Sequence, residues 1–130
     1  MVRDLFDYFR DMVRILGSEL GAEELSEPTI LQRAYQFGRL ACSFRYVDAS
    51  HLRVILWADC NEEPIVWTSY SFQYLDANGD LRFRYDNAGH YPQLPNFPSH
   101  LHLPEAVHGV RQPQLRQIAL RIRQYLAFSS

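Results

Sequence analysis

The sequence predicts an α+β domain: one helix near each end of the chain, packed on an antiparallel sheet. Three observations carry that expectation. An apolar stripe at helical spacing runs from Val2, a two-residue alternation begins near Leu40, and a second helical stripe follows Pro113. All 130 residues read as a single domain, residues 1–130, because domains cluster at roughly 100–150 residues and one this long buries about two-thirds of its unfolded surface.

The first helix is expected from Val2, Leu5, Phe9, Met12, Val13, Leu16 and Leu20, which share one face. Arg3, Asp4, Asp7, Arg10, Asp11 and Arg14 fall mostly on the wet side. Gly17 weakens its last turn, and Gly21 is a natural stop. Glu23, Glu24 and Glu27, ending at Pro28, read as a connecting loop, and Thr29 to Gly38 reads as strand.

A four-stranded antiparallel meander follows. Phe44 and Tyr46 lead to a turn at Asp48-Ala49-Ser50. Leu52, Val54, Leu56 and Ala58 then alternate with Arg53, Ile55, Trp57 and Asp59, and Asn61-Glu62-Glu63-Pro64 closes the strand. Val66 to Leu75 and Leu81 to Asp86 flank Asn78-Gly79, the residue pair a type I′ hairpin favours. With those two as the loop, Ala77 faces Asp80 and Leu75 faces Arg82. Tyr74–Phe83 and Phe72–Tyr85 form a buried aromatic ladder, opposite Gln73–Arg84 and Ser71–Asp86. Arg82, Arg84 and Asp86 then share a polar sheet face with Ser69 and Ser71.

Ala88 to Pro104 holds Gly89, Pro92, Pro95, Pro98 and Pro104, too many breakers for a helix or a central strand. A Pro/His-rich loop of that length in a compact domain points to a site. Pro113 opens the C-terminal helix, with Leu115, Ile118, Ala119, Ile122, Tyr125 and Leu126 inward and Arg116, Arg121 and Arg123 mainly outward.

Composition removes several classes. With 47% apolar and 22% charged residues and no repeat, disordered, collagen-like and coiled-coil chains are excluded. The longest apolar run, Val54 to Ala58, is far short of a membrane span of roughly 18 residues. The charged N-terminal residues do not resemble a secretory signal, so a soluble, cytoplasmic chain with no membrane partner is expected. Thirteen basic against 15 acidic residues give a net charge of −2 and a pI near 6.2, unlike a surface devoted to nucleic acid, whose pI usually exceeds about 9. A local basic site remains open. All 13 cations are Arg, which suits a biased genome and equally a phosphate-binding fork. Cys42 and Cys60 lack CxxC spacing and read as buried reduced thiols.

Four of the five histidines fall between His90 and His108. On an extended segment, His100 and His102 project to the same side, and His90 and Asp86 complete a His/carboxylate group. Three readings fit. The histidines could brace the loop. They could bind a divalent ion such as Zn²⁺ or Mn²⁺, through His90, His100 and His102 with Asp86 or Glu105. They could also do acid–base chemistry on a phosphodiester, since imidazole titrates near neutrality and can move the ribose 2′-OH proton and the leaving-group proton. Arg84 or Arg82 would then stabilise phosphate charge, and Tyr91 or Phe97 would stack a base. Ser69 and Ser71 lack a nucleophile elbow. His51 sits in a turn before a strand, and Trp57 and Trp67 read as core or partner-facing. No glycine-rich phosphate loop is present, so no nucleotide cofactor is expected.

Residues 69–107 carry an aromatic hairpin, then Arg84-Tyr85-Asp86-Asn87, His90, and Phe97-Pro98-Ser99-His100-Leu101-His102. This run resembles the TumE-type toxins of toxin–antitoxin pairs. Members often carry a second His after the first and a His before His100, where this chain has Tyr91 and Ser99. The resemblance implies a toxin silenced by a cognate helix-turn-helix antitoxin. The residue chemistry suggests a small endoribonuclease acting on RNA, with His90, His100, His102 and Asp86 as catalytic groups and Arg84, Arg82 and Tyr91 as substrate-binding groups. Two alternatives stand beside it: a non-catalytic antitoxin-binding or homodimerising domain, and a metal-dependent phosphohydrolase.

Overall fold

The computed structural model describes residues 4–127. In order, these form α1 (Leu5–Leu16), a 3₁₀ turn (Ser18–Leu20), β1 (Glu24–Leu25), β2 (Thr29–Ala34), β3 (Phe37–Arg45), β4 (His51–Asp59), β5 (Val66–Leu75), β6 (Leu81–Asp86), β7 (His100–His102), β8 (Val107–Gly109) and α2 (Leu115–Ala127). The α+β class holds. The four-stranded meander, however, is the centre of an eight-stranded antiparallel sheet ordered β1-β3-β4-β5-β6-β7-β8, with β2 also paired to β3.

Helix α1 forms where an apolar stripe meets a strong cap. The Asp4 carboxylate accepts from the backbone N–H groups of Phe6 and Asp7 at 2.9 and 3.2 Å, satisfying two donors that the first turn leaves open. Leu5, Phe9, Met12 and Leu16 are buried, each contributing about 1.5–3 kcal/mol of transfer free energy. The helix stops at Gly17, so Leu20 of the same stripe is buried from the following 3₁₀ turn instead. Val2 and Arg3, assigned to this helix by spacing, lie outside the described residues.

The acidic connection expected to be loop contains β1. Its backbone completes the ladder of β3: Glu23 and Ser26 N–H donate to Arg45 and Ser43 carbonyls at 2.8 and 2.9 Å. The strand expected over Thr29 to Gly38 folds back at Tyr35-Gln36, where Gln36 has φ 60°. Its side-chain carbonyl accepts from the Leu5 N–H, a tertiary contact invisible to local periodicity.

One face of the sheet is apolar and covered by both helices. Leu40, Phe44, Leu52, Val54, Leu56, Trp67, Phe72, Tyr74, Phe83, Tyr85 and Leu101 pack there with α1 and with Ile118 and Ile122 of α2. Helix α2 starts beyond Pro113, where the Gln117 side chain accepts from the Gln114 N–H at 2.8 Å, half of a capping box. Residues of the opposite face, such as Arg39, Arg53, Ile55 and Gln73, carry no helix; it is called the open face below. Neither cysteine is in a disulfide and both are buried, and burial pushes the Cys42 thiol up to about 12.

The hairpin between β5 and β6 keeps the expected register for four pairs and loses it at the turn. Ser71–Asp86, Phe72–Tyr85, Gln73–Arg84 and Tyr74–Phe83 pair as read, but Leu75 faces Leu81 rather than Arg82. Only Gly79 has positive φ, at 84°, and its N–H donates to the Asp76 carbonyl. The loop is therefore a type I turn closed by a glycine bulge, not a type I′ pair. Asp76 decides this, since its carboxylate accepts from the N–H groups of both Asn78 and Asp80. The bulge turns Arg82 off the polar face, and its guanidinium stacks 4.8 Å over Tyr125 of α2.

The segment after Asn87, expected to be loop to Pro104, contains β7, with β8 just beyond it. Between Pro98 and Pro104 every residue keeps its N–H, so a short strand pairs there, and Leu103 bonds Ala106 to turn the chain into β8. His51, expected in a turn, is the first residue of β4. No helix of the described residues is long and apolar enough to cross a membrane.

Candidate active site

The site forms where β6 ends beside β7. Arg84 pairs with His102 and Asp86 with His100, so four chemical side chains stand on adjacent strands of the open face, within the reach of cross-strand neighbours. Leu101, between the histidines, points into the core. The same-side projection expected for His100 and His102 therefore holds, with ring centroids 5.7 Å apart.

Asn87 ends the strand. Its side chain accepts from the Tyr70 N–H at 2.9 Å and donates to the Thr68 carbonyl at 3.2 Å. The side chain thus continues the ladder while the backbone departs into the 88–98 loop. That loop folds back over β7 and β8: a Cβ at Gly109 would stand 1.9 Å from the Pro95 carbonyl oxygen, so only glycine admits this approach.

Asp86 is the hub. Its side chain is 9% exposed; Oδ2 accepts from Arg84 Nε at 2.7 Å, and Oδ1 lies 3.2 Å from His100 Nδ1 and 3.3 Å from the Ala88 N–H. Burial alone would push this carboxyl up, but the bonds from Arg84 and His100 and the nearby His102 outweigh it and hold it below its ordinary value. His100 is 1% exposed, and its Nε2 lies 2.6 Å from the His90 carbonyl oxygen. A carbonyl can only accept, so Nε2 carries a proton.

His102 differs. Its side chain is 13% exposed and its Nε2 stands 3.2 Å from Asp86 Oδ2. Burial first, then the Arg84 charge, push its titration below the ordinary imidazole value despite the Asp86 carboxylate, so near neutrality this ring is uncharged. Arg84, 33% exposed, has its Nε committed to Asp86, and among the described residues no other hydrogen bond engages its outer nitrogens.

The structure brings together Arg84, Asp86, His100, His102 and Tyr91, whose ring sits edge-on to both histidines at 5.4 and 6.2 Å. His90 is split: its carbonyl holds His100, while its exposed ring lies 6.3 Å from Tyr91. Arg82 stands apart against α2. Of the expected metal donors, Asp86, His100 and His102 place ligand atoms within 4.8 Å of one another; the His90 ring and Glu105 do not join them. Ser99 is buried, its Oγ bonded by the Tyr70 hydroxyl at 2.8 Å. Ser69 is exposed and Ser71 half-buried on the open face; Trp67 is core, whereas Trp57 stacks on Phe37 at 5.5 Å. Asn87 and the His90 carbonyl were missed by sequence reasoning. For the Asn, its place directly after a strand and in the Arg84-Tyr85-Asp86-Asn87 motif was the available signal, and a main-chain acceptor leaves none.

The family model described as Toxin TumE matches residues 13–129, which include every residue of this site. No curated protein and no solved structure matched. The match spans all eight strands of the sheet, both sides of the histidine cluster and the C-terminal helix, and the chain belongs to the TumE toxin family.

Proposed function

We propose that this chain is the toxin of a toxin–antitoxin module and that it cleaves RNA at the Arg84–Asp86–His100–His102 cluster. The toxin reading is supported by the family match, and a cognate antitoxin of the helix-turn-helix kind is the partner that reading implies. The cleavage reading is supported by one juxtaposition: His102, whose titration burial and the Arg84 charge push down, and the Arg84 guanidinium occupy directly paired positions of two strands.

In this mechanism His102 takes the ribose 2′-OH proton and the 2′-oxygen attacks phosphorus. Arg84 stabilises the charge that develops on the phosphoryl oxygens, and the 5′-oxygen leaves with a proton from His90. The products are a 2′,3′-cyclic phosphate and a 5′-hydroxyl. Asp86 and His100 act as positioning residues, since both are buried and committed to neighbours. Tyr91 offers its face to a base.

The test is cleavage of total RNA by purified protein, wild type against His102→Gln. Loss of at least a hundredfold is expected, within the usual contribution of about 10²–10⁴ from a general base. Equal cleavage by a folded His102→Gln protein refutes the assignment.

A second reading has its own support. With Nε2–H on the His90 carbonyl, an uncharged His100 has only a lone pair at Nδ1, 3.2 Å from Asp86 Oδ1, so either a second proton on the ring or a cation must lie between the two atoms. A ligating His whose other N–H donates to a backbone carbonyl is the usual outer-shell arrangement of metal sites. Asp86, His100 and His102 would hold a first-row divalent ion. Elemental analysis of protein purified without chelator, with a Zn²⁺- or Mn²⁺-dependent rise in melting temperature that His100→Ala abolishes, distinguishes the two readings.

A further inference from the structure

We propose that the open face of the sheet is a track for single-stranded RNA, on which Arg39, Arg53 and Trp57 hold the strand that enters the histidine site. This rests on the RNA reading above and adds the surface that carries the substrate.

The register supplies the first argument. Arg53 of β4 pairs with Gln73 of β5, Gln73 with Arg84 of β6, and Arg84 with His102 of β7. These four residues cross four strands in one row of the open face. Arg53 and Arg84 are two strands apart, roughly 9.5 Å at 4.7–4.9 Å per strand. Gln73 between them offers both donors and acceptors.

Charge supplies the second. Among the described residues Arg39 and Arg53 have no carboxylate partner, whereas Arg10 and Arg45 each have one and Arg14 has two. On a chain of net charge −2, two guanidinium groups without counter-ions on one sheet face form a local positive strip that the total conceals. They line a concavity of about 580 Å³ together with Ser43, His51 and Gln73, with Glu27 the one carboxylate among its lining residues.

An aromatic platform supplies the third. Trp57 pairs with Arg39 across β3 and β4 and is half-buried on the open face, stacked on Phe37 at 5.5 Å. Arg contacts to phosphates combined with an aromatic face for bases are how unpaired strands are held without sequence readout. A duplex presents no free base face, which commits the track to single strands.

The experiment uses the full chain carrying His102→Gln, so that bound RNA survives, and a fluorescent single-stranded RNA twelve-mer. Arg39→Gln with Arg53→Gln is expected to weaken binding at least tenfold and to flatten the log–log salt dependence by about 1.4, at roughly 0.7 per phosphate contact on single strands. RNA is expected to quench Trp57 emission, and Trp57→Phe to remove the quenching, because Trp67 is buried under the helices. Unchanged affinity and salt slope in the double variant overturn the track, as does equal competition by duplex RNA of the same sequence. The two proposals fail separately. Cleavage by the wild type with Arg39 and Arg53 dispensable removes the track alone, whereas Arg-dependent binding without any cleavage removes the catalytic reading alone.

Discussion

Removing the Asp86 carboxylate in two ways separates its charge from its shape. In Asp86→Ala, the Arg84 guanidinium loses its 2.7 Å partner, and the fully buried His100 loses its partner at Nδ1. Deleting one member of a buried ion pair costs about 3–5 kcal/mol. In Asp86→Asn the remaining oxygen can still accept from Arg84, and the new amide can donate to His100 Nδ1 while Nε2–H stays on the His90 carbonyl. The loss is then mainly the charge assistance of one hydrogen bond, about 1–2 kcal/mol. For a domain of this length each kcal/mol moves the melting temperature by roughly 3–5 °C. Asp86→Ala should therefore melt about 9–25 °C below the wild type and Asp86→Asn about 3–10 °C below.

The pH dependence carries a sign. Asp86 titrates below its ordinary 3.8 in the folded protein, so its stabilisation is complete above that value and fades as pH falls through it toward the folded value. Urea denaturation from pH 7 down to pH 3 should show the gap between wild type and Asp86→Asn steady above about pH 5 and narrowing below about pH 4. A cost under 1 kcal/mol for Asp86→Ala, or a gap that widens on acidification, would refute the assignment of Asp86 as an ionised hub.

Three further outcomes are expected. Gly109→Ala must push the 88–98 loop away from a 1.9 Å contact with Pro95, costing about 1–3 kcal/mol and exposing the loop to limited proteolysis; an unchanged digestion pattern would contradict the packing. Tyr46→Phe removes the buried hydroxyl that donates to the Leu16 carbonyl at 2.7 Å and should lower stability in urea by about 1–2 kcal/mol. Arg84 depresses the His102 titration, so Arg84→Gln should move the acid limb of the RNA-cleavage pH profile to higher pH as well as slowing the reaction, and an unshifted limb would show that His102 is not the base.

The central strands were legible because their two faces differ. Strands β4, β5 and β6 alternate buried aliphatic and aromatic residues with polar ones, and a period of two fixes which side each occupies. The outer strands offered no such pattern. Strand β2 is largely exposed, β7 and β8 hold three residues each, and their pairing is decided by distant backbone groups left open on β3 and β6. Arg82 was misplaced because one carboxylate, Asp76, selected a bulged turn over the tighter one that Asn-Gly suggests. For the site, residue types and neighbourhood were readable, but the division of labour was not. Nothing local distinguishes His100, sealed and tied to a carbonyl, from His102, which keeps access to solvent.

The pairing of β6 with β7 also sets when the site comes into being. Synthesis runs from the N-terminus, and a nascent chain that has reached Asp86 already contains every residue of the long hairpins of the central sheet. It lacks the full pair of His100 and His102 until sixteen further residues have been added (102 − 86), and the 88–98 loop cannot settle until Gly109 gives it a seat. Every shorter product of interrupted translation lacks the cluster by composition, not merely by misfolding. Whatever chemistry these side chains perform is withheld from every fragment that stops short of His102.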